Sequence, residues 1–313
     1  MTVNGRSRLG YLSLVLSALL FGGATPLAVY ALRALTAFDL LAIEIGTATI
    51  ALWLALALFG PRRRSSRWRT YALLGLLEPA LSYVLYNLGL ARTSAVHGAL
   101  LEALDALFVV LLAALLLGER LRRSIALALG LGLLGAVLVG LSQAPGGPDP
   151  STRLGDGLVV LGILAAAFYS IAVRRFGGQD PALTVTAYQF LAAAVAVSPL
   201  VAASWLAQGS GLPRATPAHL GAALGSGLLG TAGAYLLFNI GISRVPAGRA
   251  ALVFNLVPVF GTVAAVVGLG ERLQGVELAG GALILVSLFV LSRSGEEEGG
   301  EARALAAGAR RRA

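Results

Sequence analysis

The chain has 313 residues, of which 57% are hydrophobic and only 12% charged, with a mean hydropathy of +0.83. Soluble domains carry about 25% charged residues, so this composition predicts an integral membrane protein. The chain contains no Cys, which excludes a disulfide framework, a thiolate zinc site and an iron–sulfur cluster. The formal net charge is +9, but the basic residues are all Arg and most lie between apolar runs. That pattern orients helices in a bilayer and does not indicate nucleic-acid binding.

Ten apolar stretches are long enough to cross the membrane, since a helix of about 20 residues spans a hydrocarbon core of about 30 Å. The sequence therefore predicts an all-α integral membrane protein with ten transmembrane helices. The predicted spans, numbered helix 1 to helix 10, are 10–32, 37–59, 69–91, 95–117, 123–141, 155–174, 183–206, 218–241, 247–269 and 274–292.

The distribution of Arg predicts the orientation of these helices. Arg6 and Arg8 precede a first apolar run of about 23 residues, longer than the 7–15 of a cleavable signal peptide, so helix 1 is expected to stay in the mature chain. If the amino terminus is cytoplasmic, 19 Arg lie in cytoplasmic segments and five outside. This asymmetry predicts a bacterial inner (plasma) membrane protein with both termini cytoplasmic.

One polar connector divides the chain into two halves. It is the segment Gln143 to Arg153, in which Pro145, Pro148 and Pro150 interrupt helical structure. The predicted organisation is a first five-helix repeat, a linker, a second five-helix repeat and a disordered, Gly-rich cytoplasmic tail, with boundaries at 10–141, 142–154, 155–292 and 293–313.

The two halves are copies of one unit. The segment Tyr83 to Leu121 reappears 152 positions later as Tyr235 to Leu273, without a gap and with 16 of 39 positions identical. A unit of five helices enters the membrane from opposite sides in its two copies, so the repeats are predicted to be inverted. Inverted repeats are typical of secondary transporters, in which two equivalent halves exchange conformations around a shared site.

Two matching segments, NLGLAR at Asn87 to Arg92 and NIGISR at Asn239 to Arg244, accompany the paired GERL ends and the ten predicted helices. With these features the chain resembles the drug/metabolite transporter superfamily, in its ten-helix EamA-type branch, over about residues 10–292. The resemblance implies that helices 1, 3, 4, 6, 8 and 9 surround a central cavity and that helices 5 and 10 pack at the periphery. It also implies metabolite export, and similarity in layout to YddG-type members suggests aromatic amino acids.

Acidic residues inside the spans are the first site candidates, because an ionisable group there costs about 2.5–3.5 kcal/mol and is expected to face a cavity or a partner. Glu102 and Asp105 lie three apart on one face of helix 4 and could bind a substrate ammonium or share a proton, or could line a wet vestibule. Their counterparts in the second repeat, Phe254 and Val257, are apolar. Glu44 and Glu78 are candidates for coupling. The alternative for Glu44 is a snorkelling or helix-capping acid, and the alternative for Glu78 is a protonated side chain hydrogen-bonded to a freed backbone carbonyl.

An aromatic and amide stripe occurs in both repeats. Its members are expected either to bind a planar substrate or to pack helices together, and packing is the preferred reading for the two Asn. The residues are Tyr83, Tyr86 and Asn87 on helix 3, and Tyr235, Phe238 and Asn239 on helix 8.

Further candidates are single residues. Tyr169 on helix 6 and Asn255 on helix 9 are substrate-binding candidates, and His97 near the predicted outer mouth is a candidate pH-sensing or coupling residue, although a lone His is more often structural. Three prolines within spans are predicted hinges: Pro26, Pro79 and Pro258.

These features together predict a secondary transporter that exports small metabolites by alternating access around a central cavity, with aromatic or hydrophobic amino acids as the leading substrates. The alternative is an efflux carrier for lipophilic cations or drugs, or for another small metabolite. No HExxH, GxSxG or Cys/His constellation indicates an enzyme, and no cofactor or metal is predicted. The expected partners are a small-molecule substrate and the lipid bilayer. The sequence leaves open the oligomeric state, with a monomer as one alternative, and the choice among uniport, proton coupling and exchange.

Overall fold

The computed structural model describes residues 5–61, 65–118, 123–141, 150–176, 180–242, 244, 253 and 255–290. The predicted tail 293–313, the first part of the linker, and Glu119 in the first GERL end lie outside these residues. All structural statements below refer to the described part of the chain.

The described residues form ten apolar spans, here α1 to α10, eight of them long and apolar enough to cross a membrane. The last two, α9 and α10, are described as shorter apolar helices. Seven spans are each described by one continuous helix: α1 Gly5–Ala31, α2 Ala37–Phe59, α5 Arg123–Leu141, α6 Pro150–Phe176, α7 Ala182–Gln208, α9 Val257–Leu269 and α10 Gly275–Val290. Of the predicted ninth span, residues 247–252 and 254 lie outside the described residues. Three spans are interrupted: α3 is Trp68–Gly75, Leu76–Leu81 and Ser82–Leu90; α4 is Ala95–Glu102 and Leu104–Leu117; α8 is Pro217–Gly225, Ser226–Gly233 and Ala234–Ile242.

Helix α6 starts earlier than the sequence predicts. The sequence predicts a span that starts at residue 155, after Pro150 has interrupted the helix, yet the helix begins at Pro150 itself. A proline at the first helical position lacks an N–H that would have no intrahelical partner there, so it starts a helix without penalty.

Equivalent helices of the two repeats are interrupted at equivalent positions. The middle segments of α3 and α8 are both π-helical, and they correspond after the 152-residue offset. Within α3 the backbone of Glu78 is extended, with φ −141° and ψ 123°. Helix α4 has a turn residue at Ala103, and its counterpart Asn255 lies in the turn that precedes α9. Helices α4 and α9 also both end at a glycine with positive φ, Gly118 at 72° and Gly270 at 71°.

The two repeats are inverted. Glu271, which follows α9, accepts hydrogen bonds from the backbone N–H groups of Ala95 and Val96 at 3.0 and 2.9 Å, at the start of α4. Helix α4 therefore begins where its counterpart α9 ends, so the equivalent helices run in opposite directions. The predicted fold, ten transmembrane helices in two inverted five-helix repeats, is confirmed.

Contacts between helix ends define the two ends of the bundle. At one end, here called the His97 end, Asp39 at the start of α2 accepts a hydrogen bond from the N–H of Gly211 after α7, and Tyr30 near the end of α1 stacks on His219 at the start of α8. At the opposite end, here called the Asp180 end, the Asp180 carboxylate before α7 accepts hydrogen bonds from the hydroxyls of Ser65 and Tyr71. The bond from Ser65, followed by that from Tyr71, lowers the pKa of the Asp180 carboxyl.

Glycines bring helices of opposite repeats into close contact. A methyl group at Gly135 on α5 would lie 2.6 Å from the carbonyl oxygen of Gly280 on α10, and one at Gly280 would lie 2.7 Å from the carbonyl oxygen of Gly135. Gly22 on α1 contacts α9 in the same way, because its methyl group would lie 2.5 Å from the carbonyl oxygen of Val257. Small residues allow such backbone approach where lipid offers no hydrophobic driving force between helices.

Gly22→Ala is expected to lower stability by about 1–3 kcal/mol, because the added methyl group would overlap backbone atoms of α9 that cannot move independently. Gly23→Ala is the matched control, since nothing lies within 4 Å of a methyl group at the neighbouring position. The melting temperature of each variant is measured in detergent, from the fraction of protein that stays monodisperse as the temperature rises. Equal melting temperatures for the two variants would contradict the close α1–α9 contact.

Candidate functional site

Two tyrosine side chains form hydrogen bonds between the repeats, at the interrupted segments of α3 and α8. The Tyr235 hydroxyl on α8 donates a 2.8 Å hydrogen bond to the Glu78 carboxylate in the interrupted segment of α3. The Tyr83 hydroxyl on α3 donates a 3.4 Å hydrogen bond to Thr231 in the interrupted segment of α8. Tyr83 and Tyr235 are repeat equivalents, so each repeat places the same side chain on the interrupted helix of the other.

Only one of the two carboxylate oxygens of Glu102 is hydrogen-bonded to a described residue. Its Oε1 accepts hydrogen bonds from the Tyr86 hydroxyl at 2.6 Å and from Thr25 on α1 at 3.3 Å, and Tyr86 and Thr25 lie 3.0 Å from each other. Its Oε2 is buried and has no hydrogen-bond partner within the described residues. A buried polar atom without a partner is costly, so this oxygen remains available to a proton or to a hydrogen-bond donor.

Asp105 extends this acidic region. Its side chain is exposed, and it lies close enough to interact electrostatically with both Glu78 on α3 and Glu102 on α4. A carboxylate that interacts with acids of two helices lies inside the bundle, so its exposed surface belongs to an internal opening and not to the lipid-facing side. Three carboxyl groups therefore lie in one region near the middle of α3 and α4.

Aromatic rings surround the two crossing tyrosines. Phe190 on α7 makes edge contacts with both Tyr83 and Tyr235, at ring-centre distances of 6.5 and 6.3 Å. Phe21 on α1 contacts Tyr235 at 5.1 Å. Sequence reasoning missed Phe190 and Phe21, because an isolated Phe in an apolar span carries no signal of which neighbours it contacts.

Tyr169 on α6 is paired with a residue that sequence reasoning also missed. The Gln189 amide on α7 donates a 2.9 Å hydrogen bond to the Tyr169 hydroxyl, and Gln189 is buried. A lone Gln in an otherwise apolar span is a signal that could have identified it. Tyr169 also interacts electrostatically with Glu78, which puts this pair beside the acidic region.

Glu44 and Asn87 form a separate, fully satisfied contact. The Asn87 amide on α3 donates a 2.7 Å hydrogen bond to Glu44 Oε2, and the Ser226 hydroxyl on α8 donates to Glu44 Oε1 at 2.5 Å. All three side chains are buried. The trio links α2, α3 and α8, and both carboxylate oxygens of Glu44 are occupied.

A second buried cluster lies at the His97 end. His97 on α4 has no exposed surface; its Nδ1 lies 3.0 Å from Asp156 on α6 and its Nε2 lies 3.0 Å from Glu277 on α10. Thr93 donates a hydrogen bond to Asp156, and the backbone N–H of Gln274 donates one to Glu277 at 2.7 Å. We call His97, Asp156 and Glu277 the acid–histidine cluster. The sequence identified His97 alone.

A family model, described as the EamA-like transporter family, matches the chain twice, over residues 8–141 and 153–293. The chain belongs to this family. The resemblance inferred from the repeated segments is thereby confirmed, although the YddG type within it stays a prediction. Family membership makes this EamA protein a multi-pass membrane transporter for small molecules.

Named relatives agree with this assignment. An uncharacterized transporter of Bacillus subtilis, YyaM, is 27% identical over 228 residues, which cover 72% of this chain and 73% of the relative. A protein of Streptantibioticus cattleyicolor named a probable terminal-alkyne amino-acid exporter is 27% identical over 282 residues, covering 90% of this chain and 92% of the relative. One solved crystal structure, 24% identical, superposes with a TM-score of 0.61 over 94% of this chain and 99% of the other, and shows the fold alone.

The remaining predicted residues of this EamA protein occupy several different settings. Phe238 packs with Leu14 and Tyr11 near the start of α1, and the side chain of Asn239 lies outside the described residues. Asn255 is half-buried in the turn before α9. The predicted hinges occupy three settings: Pro26 inside the continuous α1, Pro79 in the interrupted segment of α3, and Pro258 at the second position of α9. Their roles stay predictions.

Asn87→Ala is expected to lower stability by about 1–3 kcal/mol, because it leaves Glu44 Oε2 buried without a donor. Asn255→Ala is the control, since the Asn255 side chain makes no hydrogen bond within the described residues. Melting temperatures of the EamA protein in detergent measure both changes. A melting temperature for Asn87→Ala that matches the control would show that the Glu44–Asn87 bond is not needed for stability.

Proposed function

We propose that this protein exports amino acids with apolar or aromatic side chains, by alternating access around the site between its two repeats. The observation that carries the proposal is the unpartnered Oε2 of Glu102, which lies beside Asp105 on α4. A substrate ammonium would supply the missing donor and neutralise charge that no described Arg side chain neutralises in the site.

The start of α9 is suited to the substrate carboxylate. Gly261 on α9 packs against Ala99 on α4, since a methyl group at Gly261 would lie 2.8 Å from the Ala99 Cβ. The two helices are antiparallel, so moving about one turn toward the Asp180 end from this contact reaches Glu102 on α4 and Val257 on α9. The α9 segment begins at Val257 without a side-chain cap. Helix N-termini favour anions, because their first N–H groups lack intrahelical partners.

The aromatic rings suit the substrate's apolar part. Tyr83, Phe190 and Tyr235 present ring edges and faces at the interrupted segments, and such surfaces bind apolar and planar groups. The relative in Streptantibioticus cattleyicolor named as an amino-acid exporter supports the same substrate class. The Arg asymmetry supports an inner-membrane location with cytoplasmic termini, which makes the His97 end the outer one.

A lipophilic cation is the second candidate substrate, and the third carboxyl group favours it. Glu78 and Asp105 are two carboxyl groups in addition to the one that a single ammonium needs, so an amine without a carboxylate would also find partners.

Counterflow into proteoliposomes distinguishes the two candidates. Labelled phenylalanine is the tracer, and phenethylamine and 3-phenylpropionate, which lack the carboxylate and the ammonium respectively, are the competitors. We expect phenylalanine to be exchanged and each analogue to compete at least tenfold more weakly, because each loses one charged hydrogen bond worth about 1.5–3 kcal/mol. Exchange of labelled phenethylamine, used as tracer in a parallel assay, without exchange of labelled phenylalanine would favour the cation carrier.

Glu102→Gln is expected to raise the half-saturating concentration of phenylalanine about 10- to 100-fold, because the amide cannot pair ionically with the ammonium. Asp180→Asn is the matched control, a carboxyl-to-amide change at the Asp180 end that should leave flux unchanged. If Glu102→Gln behaved as Asp180→Asn does while both variants kept the wild-type melting temperature, the proposed ammonium site would be wrong.

A further inference from the structure

The acid–histidine cluster joins the two repeats. His97 and Thr93 belong to the first repeat, whereas Asp156 and Glu277 belong to the second. The hydrogen bonds from Thr93 to Asp156 and from Ala95 to Glu271 cross the same boundary. If the repeats separate at the His97 end during transport, all of these contacts break together.

The geometry of the cluster requires one proton more than its parts hold in neutral water if both of its contacts are hydrogen bonds. A neutral imidazole has a single N–H, so it can donate to Asp156 or to Glu277 but not to both. Both ring nitrogens nevertheless lie 3.0 Å from a carboxylate oxygen. The two contacts are hydrogen bonds together only if an additional proton is bound, either on the imidazole or on one carboxyl group.

We propose that the acid–histidine cluster is a proton-binding site that holds the His97 end closed, and that this end opens as the proton leaves. In the closed state a proton bridges His97 to the two carboxylates. On opening, the N–H bond of the imidazolium breaks, the electron pair stays on nitrogen, and water on the same side takes the proton. The proton returns by the same route, so the site controls opening and carries no proton across the membrane.

The sign of the pH dependence follows from proton counting. Once separated in water, His, Asp and Glu have pKa values of about 6.5, 3.9 and 4.3, so above pH 7 the open cluster holds no additional proton. The closed state therefore binds more protons than the open one. By thermodynamic linkage, a fall in pH therefore stabilises the closed state and a rise in pH favours the open state. For one proton, the equilibrium constant for opening changes by up to about tenfold per pH unit.

Other charged groups near the cluster are already engaged or exposed. Glu271 accepts the first N–H groups of α4, and Arg92 donates to the carbonyl oxygen of Leu88. Arg153 on α6 and Arg272 before α10 are exposed. The helices α1, α5 and α9 present apolar side chains to the first turns of α4, namely Val29, Val139 and Ala265. Among the described residues, no group of three or more His, Asp or Glu side chains is arranged to hold a metal ion.

Thiol labelling tests the proposal without any substrate, so its outcome does not depend on the proposed amino-acid site. The chain has no native Cys, and Val96 on the first turn of α4 is 2% exposed. A maleimide should modify Val96→Cys only when the His97 end opens. The rate is divided by that of Arg272→Cys, an exposed position, which removes the pH dependence of thiol chemistry itself. Between pH 5.5 and 8.5 we expect the normalised rate to rise with pH, by as much as tenfold per unit.

Glu277→Gln in the Val96→Cys background is the decisive variant. The Gln amide can donate to Nε2 of a neutral His97, which in turn donates from Nδ1 to Asp156, so all contacts form without an additional proton. Its normalised rate should stay low and flat across the pH range. His97→Gln, which cannot bind the proton, should also be flat. A normalised wild-type rate that does not change with pH, no labelling at any pH, or an unchanged slope in folded Glu277→Gln would overturn the proposal.

Discussion

The interior of a bilayer offers no water to polar groups, and this constraint decides where the chain can depart from regular helix. Each unsatisfied backbone or side-chain group there costs several kcal/mol, so irregular segments survive only where protein covers them or where they line a polar opening. The interrupted segments of α3 and α8 lie between the repeats and are covered by each other's tyrosines. The same pairing that satisfies them gathers polar groups at the position a carrier needs for binding.

The backbone features of the two repeats are symmetric, but their ionisable side chains are not. Tyr83 and Tyr235, the two interrupted segments, and the glycine ends of α4 and α9 recur in both repeats. The acids Glu102 and Asp105 correspond in sequence to Phe254 and Val257 of the second repeat, and His97 corresponds to Arg249. Symmetry suits two halves that exchange conformations. In the two proposals made above, the acids and the histidine, which occur in one repeat only, recognise substrate and proton at different depths of one helix, α4.

The parts of the fold that depend on local properties could be predicted. Helix number follows from apolar length, and inversion follows from an odd number of spans per repeat. The region around Glu102 could also be predicted from the sequence, because a carboxylate inside an apolar span is expected to face a cavity or a polar partner. By contrast, four residues of the buried contacts could be identified only from the structure, because their partners lie far away in the chain. They are Phe190, Ser226, Asp156 and Glu277. Hydropathy records whether a residue faces lipid, but it holds no information about which helix a buried side chain meets.

The central claim is the inversion of the two repeats, and sided labelling of equivalent positions tests it most directly. Arg123 at the start of α5 and Gly275 at the start of α10 are exposed and correspond after the 152-residue offset. Single Cys residues placed there in the Cys-free chain can be treated with an impermeant maleimide in right-side-out and inside-out vesicles. The account predicts that Arg123→Cys reacts in one vesicle type and Gly275→Cys only in the other. Labelling of both positions from the same side would contradict inversion, and with it alternating access between two equivalent halves.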